Sequence, residues 1–136
     1  MTDAIEKLLP HRAPMRFIDA LIGCTETTAT ATACFRAGDF AVANGVVLET
    51  ALVECVAQTV AAALGSRAQT NGAGNVPANG MLIAVTNYRI AAPAPLGKVL
   101  QITITERKRL GRMTMISSSI TCEGMPIAAG DLTLYV

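Results

Sequence analysis

The chain has 136 residues, of which 51% are hydrophobic and 15% are charged, and its formal net charge is +1. This length fits one domain over residues 1–136, and so apolar a chain can bury a core, which argues against disorder. The near-neutral charge and the absence of tryptophan do not support a surface for nucleic acid. We therefore expect one folded domain without a nucleic-acid partner.

The first part of the chain predicts a short helix followed by two strands. Residues 3–9 resemble a helix that begins with a capping box formed by Asp3 and Glu6. Residues 15–24 predict a strand. Residues 25–36 predict a second strand. Ala29, Ala31, Ala33 and Phe35 fall on one face and Thr28, Thr30, Thr32 and Cys34 on the other, which is the period of a strand with one buried face.

The middle of the chain predicts one long helix. Residues 46–65 are apolar almost throughout, with Asn44 as a candidate N-cap and Gly65 as a candidate C-cap. Residues 66–80 are rich in glycine and asparagine and predict a loop.

The rest of the chain predicts four strands joined by short glycine-containing turns, at residues 81–90, 97–110, 112–123 and 125–136. We expect them to form an antiparallel meander. A single apolar helix cannot bury itself, whereas a sheet with one apolar face can wrap it. The element order therefore predicts an α+β fold with a curved antiparallel sheet around one central helix.

The long helix carries a narrow polar stripe. Thr50, Glu54 and Gln58 are spaced four residues apart and therefore share one face of the helix. This stripe either faces solvent or faces a cavity or a subunit partner. The absence of lysine and arginine on the helix up to Gly65 favours the second interpretation, and we expect Glu54 to lie in a cleft between subunits.

The four cysteines and the single histidine argue against a metal site. No C-x-x-C pair is present, and the cysteines fit buried free thiols in a reducing cytoplasm; they are Cys24, Cys34, Cys55 and Cys122. The N-terminal sequence lacks the basic and apolar regions of a signal peptide, and no apolar run is long enough to span a membrane. We predict a cytoplasmic protein with no membrane contact, no metal and no cofactor.

Two motifs resemble the hotdog-fold 3-hydroxyacyl-acyl-carrier-protein dehydratases. "LLPHRAPMRFIDAL" is similar to their N-terminal signature, and "LVECVAQTVA" is similar to their central-helix motif. The likeness spans nearly the whole chain and implies the hotdog fold, in which the sheet wraps the helix. It also implies a homodimer or higher homo-oligomer, with pairing to another hotdog subunit as an alternative.

In that family the helix glutamate is one half of a catalytic pair, which the resemblance assigns to Glu54. Gln58 matches the glutamine that follows it, and Thr50 precedes it on the same stripe; both are candidate substrate-binding residues. The family's catalytic histidine lies in a Gly-His-Phe-Pro-Gly loop, where this chain reads "AGDFAVANG". That loop retains Phe40, but Asp39 stands at the histidine position.

The only histidine, His11, lies in "LLPHRAPM", which resembles a divergent dehydratase branch of the aryl-polyene type that lacks the histidine loop. His11 is therefore a candidate catalytic base, and the alternative is a structural histidine. Asp39 is either a weak substitute base or a loop cap, and it is retained with Phe40 as a candidate for substrate binding. Cys55, although next to Glu54, is interpreted as a core residue.

The resemblance implies dehydration of 3-hydroxyacyl thioesters held by an acyl carrier protein. Basic residues near one hairpin turn either are solvated or dock that acidic partner, namely Arg107, Lys108, Arg109 and Arg112. Two other functions stay open at this point. One is a non-catalytic hotdog subunit that binds an acyl chain, and the other is an acyl thioesterase.

Overall fold

A computed structural model of the chain describes residues 2–70, 72 and 81–135, although not the side chains of residues 2 and 3. These residues form two helices and eight strands, in the order α1 (Thr2–Glu6), β1 (Ala20–Cys24), β2 (Thr28–Ala33), β3 (Val42–Ala43), β4 (Val46–Val47), α2 (Glu49–Thr70), β5 (Met81–Ile90), β6 (Leu100–Leu110), β7 (Met113–Cys122) and β8 (Met125–Tyr135). The predicted capping box and most of the predicted loop at residues 66–80 lie outside this description.

Six strands form one antiparallel sheet in the order β1-β2-β6-β7-β8-β5, and β3 pairs with β4. β6, β7 and β8 follow one another as hairpins, but β5 pairs with β8 and not with β6. The predicted meander of four strands is therefore wrong in its first member. Residues 91–99 connect β5 to β6 and contain prolines, which cannot donate hydrogen bonds to a neighbouring strand. This segment therefore leaves the sheet, and it carries the chain from β5 at the sheet edge to β6 inside the sheet.

One face of the sheet packs against α2, which confirms the predicted sheet around a central helix. The alternation predicted for β2 is also confirmed, because its alanines are buried and its threonines are partly exposed. Isoleucines continue the buried face on the next strands, among them Ile102, Ile116 and Ile120. Each such side chain contributes about 1.5–3 kcal/mol when fully buried.

Both predicted ends of the long helix are wrong. α2 begins at Glu49, and Asn44 is not its N-cap. Asn44 and Gly45 instead form the two-residue turn between β3 and β4, with φ angles of 53° and 75°. Both angles are positive, as a type I′ hairpin requires, and Asn-Gly is the preferred sequence for that turn.

Gly65 does not end α2, which continues to Thr70. A Cβ atom at Gly65 would lie 2.6 Å from the carbonyl oxygen of Leu8. The glycine is therefore needed for close contact between the helix and the segment at residues 7–19, which we call the N-terminal arm. This contact, and not a C-cap, explains the glycine.

The strand predicted at residues 15–24 begins only at Ala20, because the preceding backbone bonds elsewhere. The amides of Met15 and Arg16 donate to the carbonyl of Arg12, at 2.9 and 3.0 Å, and so form a turn. The Arg16 guanidinium donates to the carbonyl of Ile18 at 2.6 Å. The second half of the N-terminal arm is thus irregular and lies against α2.

All four cysteines are free thiols. Cys55 and Cys122 are buried as predicted, whereas Cys34 is partly exposed and Cys24 is exposed. Among the described residues, no helix combines the length and the hydropathy that crossing a membrane requires.

Candidate active site

The structure brings Glu54 and His11 together. Glu54 lies in the second turn of α2, and His11 lies in the N-terminal arm that crosses this helix. The Nε2 atom of His11 is 3.5 Å from the Oε1 atom of Glu54, and their side chains are 32% and 37% exposed. A carboxylate and an imidazole that are both accessible and close can exchange a proton with a bound molecule.

Gln58 is a buried side chain that forms a hydrogen bond to Glu54 of this pair. Its side chain is fully buried, one turn beyond Glu54. Its Nε2 atom donates to the Oε1 atom of Glu54 at 3.2 Å and to the carbonyl of Met15 at 2.8 Å. Its Oε1 atom accepts from the amide of Phe17 at 2.9 Å. The predicted stripe therefore runs from the exposed Thr50, through the half-buried Glu54, into the core.

A cavity of about 510 Å³ opens beside the pair. Its polar lining comes from His11, Glu54 and Thr50, and Phe40 lies at its wall although its side chain is largely exposed. The rest of the wall is apolar and consists of Met15, Phe17, Ala41, Leu48 and Ala51. Such a wall suits a hydrocarbon chain, with the polar groups concentrated where a reactive head group would lie.

The two ring nitrogens of His11 differ in access. Within the part of the chain that the structure describes, its Nδ1 atom is buried and has no hydrogen-bond partner. Nε2, which faces Glu54, is therefore the ring nitrogen that the carboxylate and a bound molecule can reach.

Asp39 is not part of this cavity. Its Oδ2 atom accepts from the backbone amide of Arg36 at 2.8 Å, so it caps its own loop. It lines an adjoining cavity of about 340 Å³ together with Arg16 and Asp19. Burial raises the pKa of Asp19, although the nearby Arg16 opposes this. Phe17 and Ala41 separate the two cavities, because they line both.

Two titratable groups lie behind the site, the buried Cys55 and the half-buried Tyr88. Burial, reinforced by the charge of Glu54, raises the pKa of the Cys55 thiol. The thiol therefore stays protonated and is a poor nucleophile, which agrees with a core role. Burial also raises the pKa of Tyr88 to about 12. Its ring packs over Gly130, where a Cβ would lie 2.6 Å from the Tyr88 Cδ1 atom.

The basic turn between β6 and β7 lies far from this cavity. Arg67, which is 3.8 Å from Glu106 at that end of the sheet, follows Glu54 by 13 residues, or about 20 Å along the helix. Arg109 pairs with Glu106 at 2.9 Å, and Arg107 donates to Ser117 at 2.8 Å. Within one protomer this turn therefore does not border the site.

Sequence reasoning missed most of the cavity wall. Met15 and Phe17 lie in a segment predicted as a regular strand, whose alternation does not reveal that both side chains reach one cavity. Ala41 and Leu48 flank the β3–β4 hairpin, which was predicted as loop and helix. The Asn-Gly pair was the available signal for that hairpin.

A curved antiparallel sheet around one central helix defines a hotdog protein, and here a carboxylate of that helix lies beside an apolar cavity. A family model described as ApeP dehydratase matches residues 3–136. The chain therefore belongs to the ApeP-like dehydratase family, and the resemblance to the divergent dehydratase branch is confirmed.

Solved structures agree with this fold. The chain is similar to the dehydratase heterocomplex ApeI:P from Xenorhabdus doucetiae, with a TM-score of 0.86, 20% identity, and coverage of 96% of this chain and 89% of that one. It is also similar to an HP0420 homologue from Helicobacter felis, with a TM-score of 0.70, 16% identity, and 96% and 87% coverage.

A third similar structure is a hypothetical thioesterase with coenzyme A from Streptococcus pneumoniae TIGR4, with a TM-score of 0.65, 14% identity, and coverage of 86% of this chain and 84% of that one. At these identities the solved structures speak for the fold alone. No significant match is found among curated proteins.

Proposed function

We propose that the protein dehydrates 3-hydroxyacyl thioesters, carried by an acyl carrier protein, to 2-enoyl thioesters. The observation that supports this most directly is the His11–Glu54 pair, 3.5 Å apart, at the mouth of an apolar cavity. Family membership supports the reaction class, and the cavity wall supports an acyl substrate.

The reaction needs one base and one acid. The Nε2 atom of His11 takes the proton from the carbon next to the thioester carbonyl, and the acid form of Glu54 gives a proton to the leaving hydroxyl. The carbon–oxygen bond breaks as the double bond forms, and water leaves. A proton then passes from His11 to Glu54, which their 3.5 Å separation permits, and the pair returns to its starting state.

The start of α2 is placed to stabilise the thioester oxygen as negative charge develops on it. Helix N-terminal amides lie at the positive end of the helix dipole, although here the amides of Leu48 and Ala51 already donate to the carbonyls of Ala41 and Leu48. Glu54 lies five residues after the first residue of α2, and side chains on a helix lean towards its N-terminus. A thioester near Thr50 would therefore be close to both the amides and the carboxyl group.

We propose that a second subunit pairs with the exposed edge of the sheet. β5 is an edge strand, and it exposes the large apolar side chains Met81, Leu82, Ile83 and Val85. An apolar edge of this kind is a template for strand pairing. A second copy or another hotdog subunit would cover it, and the relative from Xenorhabdus doucetiae is a heterocomplex. Antiparallel pairing through β5 would also bring the partner's basic turn towards this protomer's site, where a carrier protein docks.

Purified protein, alone and mixed with a second hotdog dehydratase subunit, should be incubated with 3-hydroxyacyl groups of several lengths on a carrier protein. The enoyl product should form in the unmutated protein and fall sharply in Glu54→Gln. Release of a free thiol without enoyl product would instead indicate a thioesterase. Absence of product in every combination would contradict the proposal and favour a non-catalytic, acyl-binding subunit.

A further inference from the structure

The side-chain amide of Gln58 has no hydrogen-bonding capacity left for a substrate. An amide side chain offers two N–H donors and an oxygen with two lone pairs. The nitrogen donates to Met15 and Glu54, and the oxygen accepts from the amides of Phe17 at 2.9 Å and Ile18 at 3.4 Å. Only this orientation matches donors with acceptors at all four contacts, and the side chain is 0% exposed.

These four contacts join two parts of the molecule that are distant in sequence. Three of them reach the backbone of the N-terminal arm, and the fourth reaches the carboxylate of Glu54 on the same helix face. The other end of the arm is fixed where Leu8 lies against Gly65. His11 lies between these two attachment points, so Gln58 governs the positions of both members of the pair.

We infer that Gln58 is a positioning residue and not a substrate-binding residue. It holds the arm that carries His11 against α2, and it fixes the Glu54 carboxylate in the orientation that faces His11. This inference rests on the proposed dehydration. It separates Gln58 from Thr50 on the same stripe, since Thr50 is exposed and lines the cavity.

The test replaces Gln58 with methionine, which has similar length but forms no strong hydrogen bond. With a 3-hydroxyacyl thioester substrate, kcat should fall at least tenfold. KM should change by a smaller factor, because Gln58 itself touches no substrate, although Met15 and Phe17 of the arm that it holds line the cavity. Gln58→Asn keeps the amide but is one methylene shorter, and it should also lower kcat. It serves as the second variant if Gln58→Met does not fold.

Thr59→Val is the matched control. Thr59 is the next residue of the helix, is 0% exposed, and donates to the carbonyl of Cys55 at 2.7 Å. This control also removes a buried hydrogen bond, so it should lower the melting temperature without lowering kcat. A fall in kcat equal to that of Gln58→Met would mean that the loss is a general effect of destabilisation.

Part of the effect should pass through Glu54. In a Glu54→Gln background, Gln58→Met should lower the remaining rate by a smaller factor than it lowers the rate of the unmutated protein, because one of the two groups that it positions is already inactive. The inference is overturned if KM rises while kcat is unchanged, which is the result for a substrate contact. It is also overturned if the two changes multiply.

A second readout does not need activity. Hydrogen exchange at the amides of Phe17 and Ile18 should become faster in Gln58→Met and stay unchanged in Thr59→Val. Unchanged exchange in Gln58→Met would overturn the inference whatever the rates are. An unmutated protein that forms no enoyl product would contradict the proposed function, while the exchange experiment would still decide whether Gln58 holds the arm.

Discussion

The two ends of α2 look alike in outline and differ in chemistry. Near its N-terminus, Glu54 is 3.5 Å from His11 beside a cavity of about 510 Å³. Near its C-terminus, Glu106 of β6 is 3.8 Å from Arg67 beside a cavity of about 580 Å³. Each end thus combines a carboxylate, a cation and a cavity, so these features alone do not identify an active site.

The difference lies in the cation and in the cavity wall. A guanidinium is a permanent cation that cannot act as a base, whereas an imidazole has a ring nitrogen that can accept a proton and give it up again. The cavity near the C-terminus of α2 is lined mainly by hydroxyl and charged groups. Its carboxylate, Glu106, also forms a second ion pair, with Arg109 at 2.9 Å. The near cavity is mostly apolar, which suits an acyl chain. Proton exchange and an apolar wall are therefore what distinguish the candidate site.

The largest expected effect comes from matched changes to the two carboxylates. Glu54→Gln should lower the dehydration rate by about two to four orders of magnitude, the usual contribution of a general acid or base. Glu106→Gln should leave the rate within about twofold. Both rates are measured from enoyl product, with the melting temperature as a check on folding. Full activity in Glu54→Gln would remove the distinction between the two ends.

The second prediction compares His11 with Arg67, and it also tests whether His11 and Glu54 act within one chain. His11→Asn should lower the rate about a hundredfold or more while Arg67→Gln leaves it unchanged. Because the structure places His11 and Glu54 in one chain, mixed assemblies of His11→Asn and Glu54→Gln subunits should not recover activity. A mixture more active than the sum of its parts would show that the pair forms between subunits.

The third change moves the N-terminal arm without touching the pair. Gly65→Ala places a methyl group 2.6 Å from the Leu8 carbonyl oxygen, so it should destabilise the fold by about 1–3 kcal/mol. It should also lower the rate several-fold by displacing His11. The control, Ser66→Ala, should change neither quantity. Denaturant unfolding of both variants measures this, and equal stability would contradict the close contact.

The fourth prediction concerns Tyr88 and the stability of the fold at alkaline pH. The folded-state pKa of Tyr88 is raised to about 12 from an ordinary 10, so the unfolded chain loses its proton first. Stability is therefore complete below pH 10 and declines between pH 10 and 12. With the discount that a half-buried group requires, the decline is about 1 kcal/mol. Tyr88→Phe should flatten it, and an unchanged slope would contradict this origin.

The smallest effect is expected when Glu106, near the C-terminus of α2, loses its ion pairs. Removing the ion pairs of Glu106 by Glu106→Gln should cost about 0–1 kcal/mol, because pairs near the surface are worth little. Added salt should shrink the difference from the unmutated protein further. A loss above about 3 kcal/mol at low salt would mean that this end is a buried, tightly coupled centre after all.

Some of this arrangement could be predicted from local patterns. The period of two in β2 identified its buried alanines, and the spacing of Glu54 and Gln58 placed both on one helix face. The helix motif and the LLPHRAPM segment together also indicated the family. Other assignments depended on residues that serve two purposes. Asn44 suits an N-cap and a hairpin turn equally well, and Gly65 suits a C-cap and a close contact.

The sequence by itself determined which faces are apolar, that one helix is central, and which carboxylate belongs to a dehydratase motif. These follow from spacing within one element, because the geometry of a helix or strand is fixed locally. The tertiary structure decided that β5 lies at the sheet edge, that His11 rather than Asp39 lies beside Glu54, and that Gln58 is sealed inside. Those outcomes depend on where irregular segments run, and their paths are set by backbone hydrogen bonds and close contacts between residues distant in sequence.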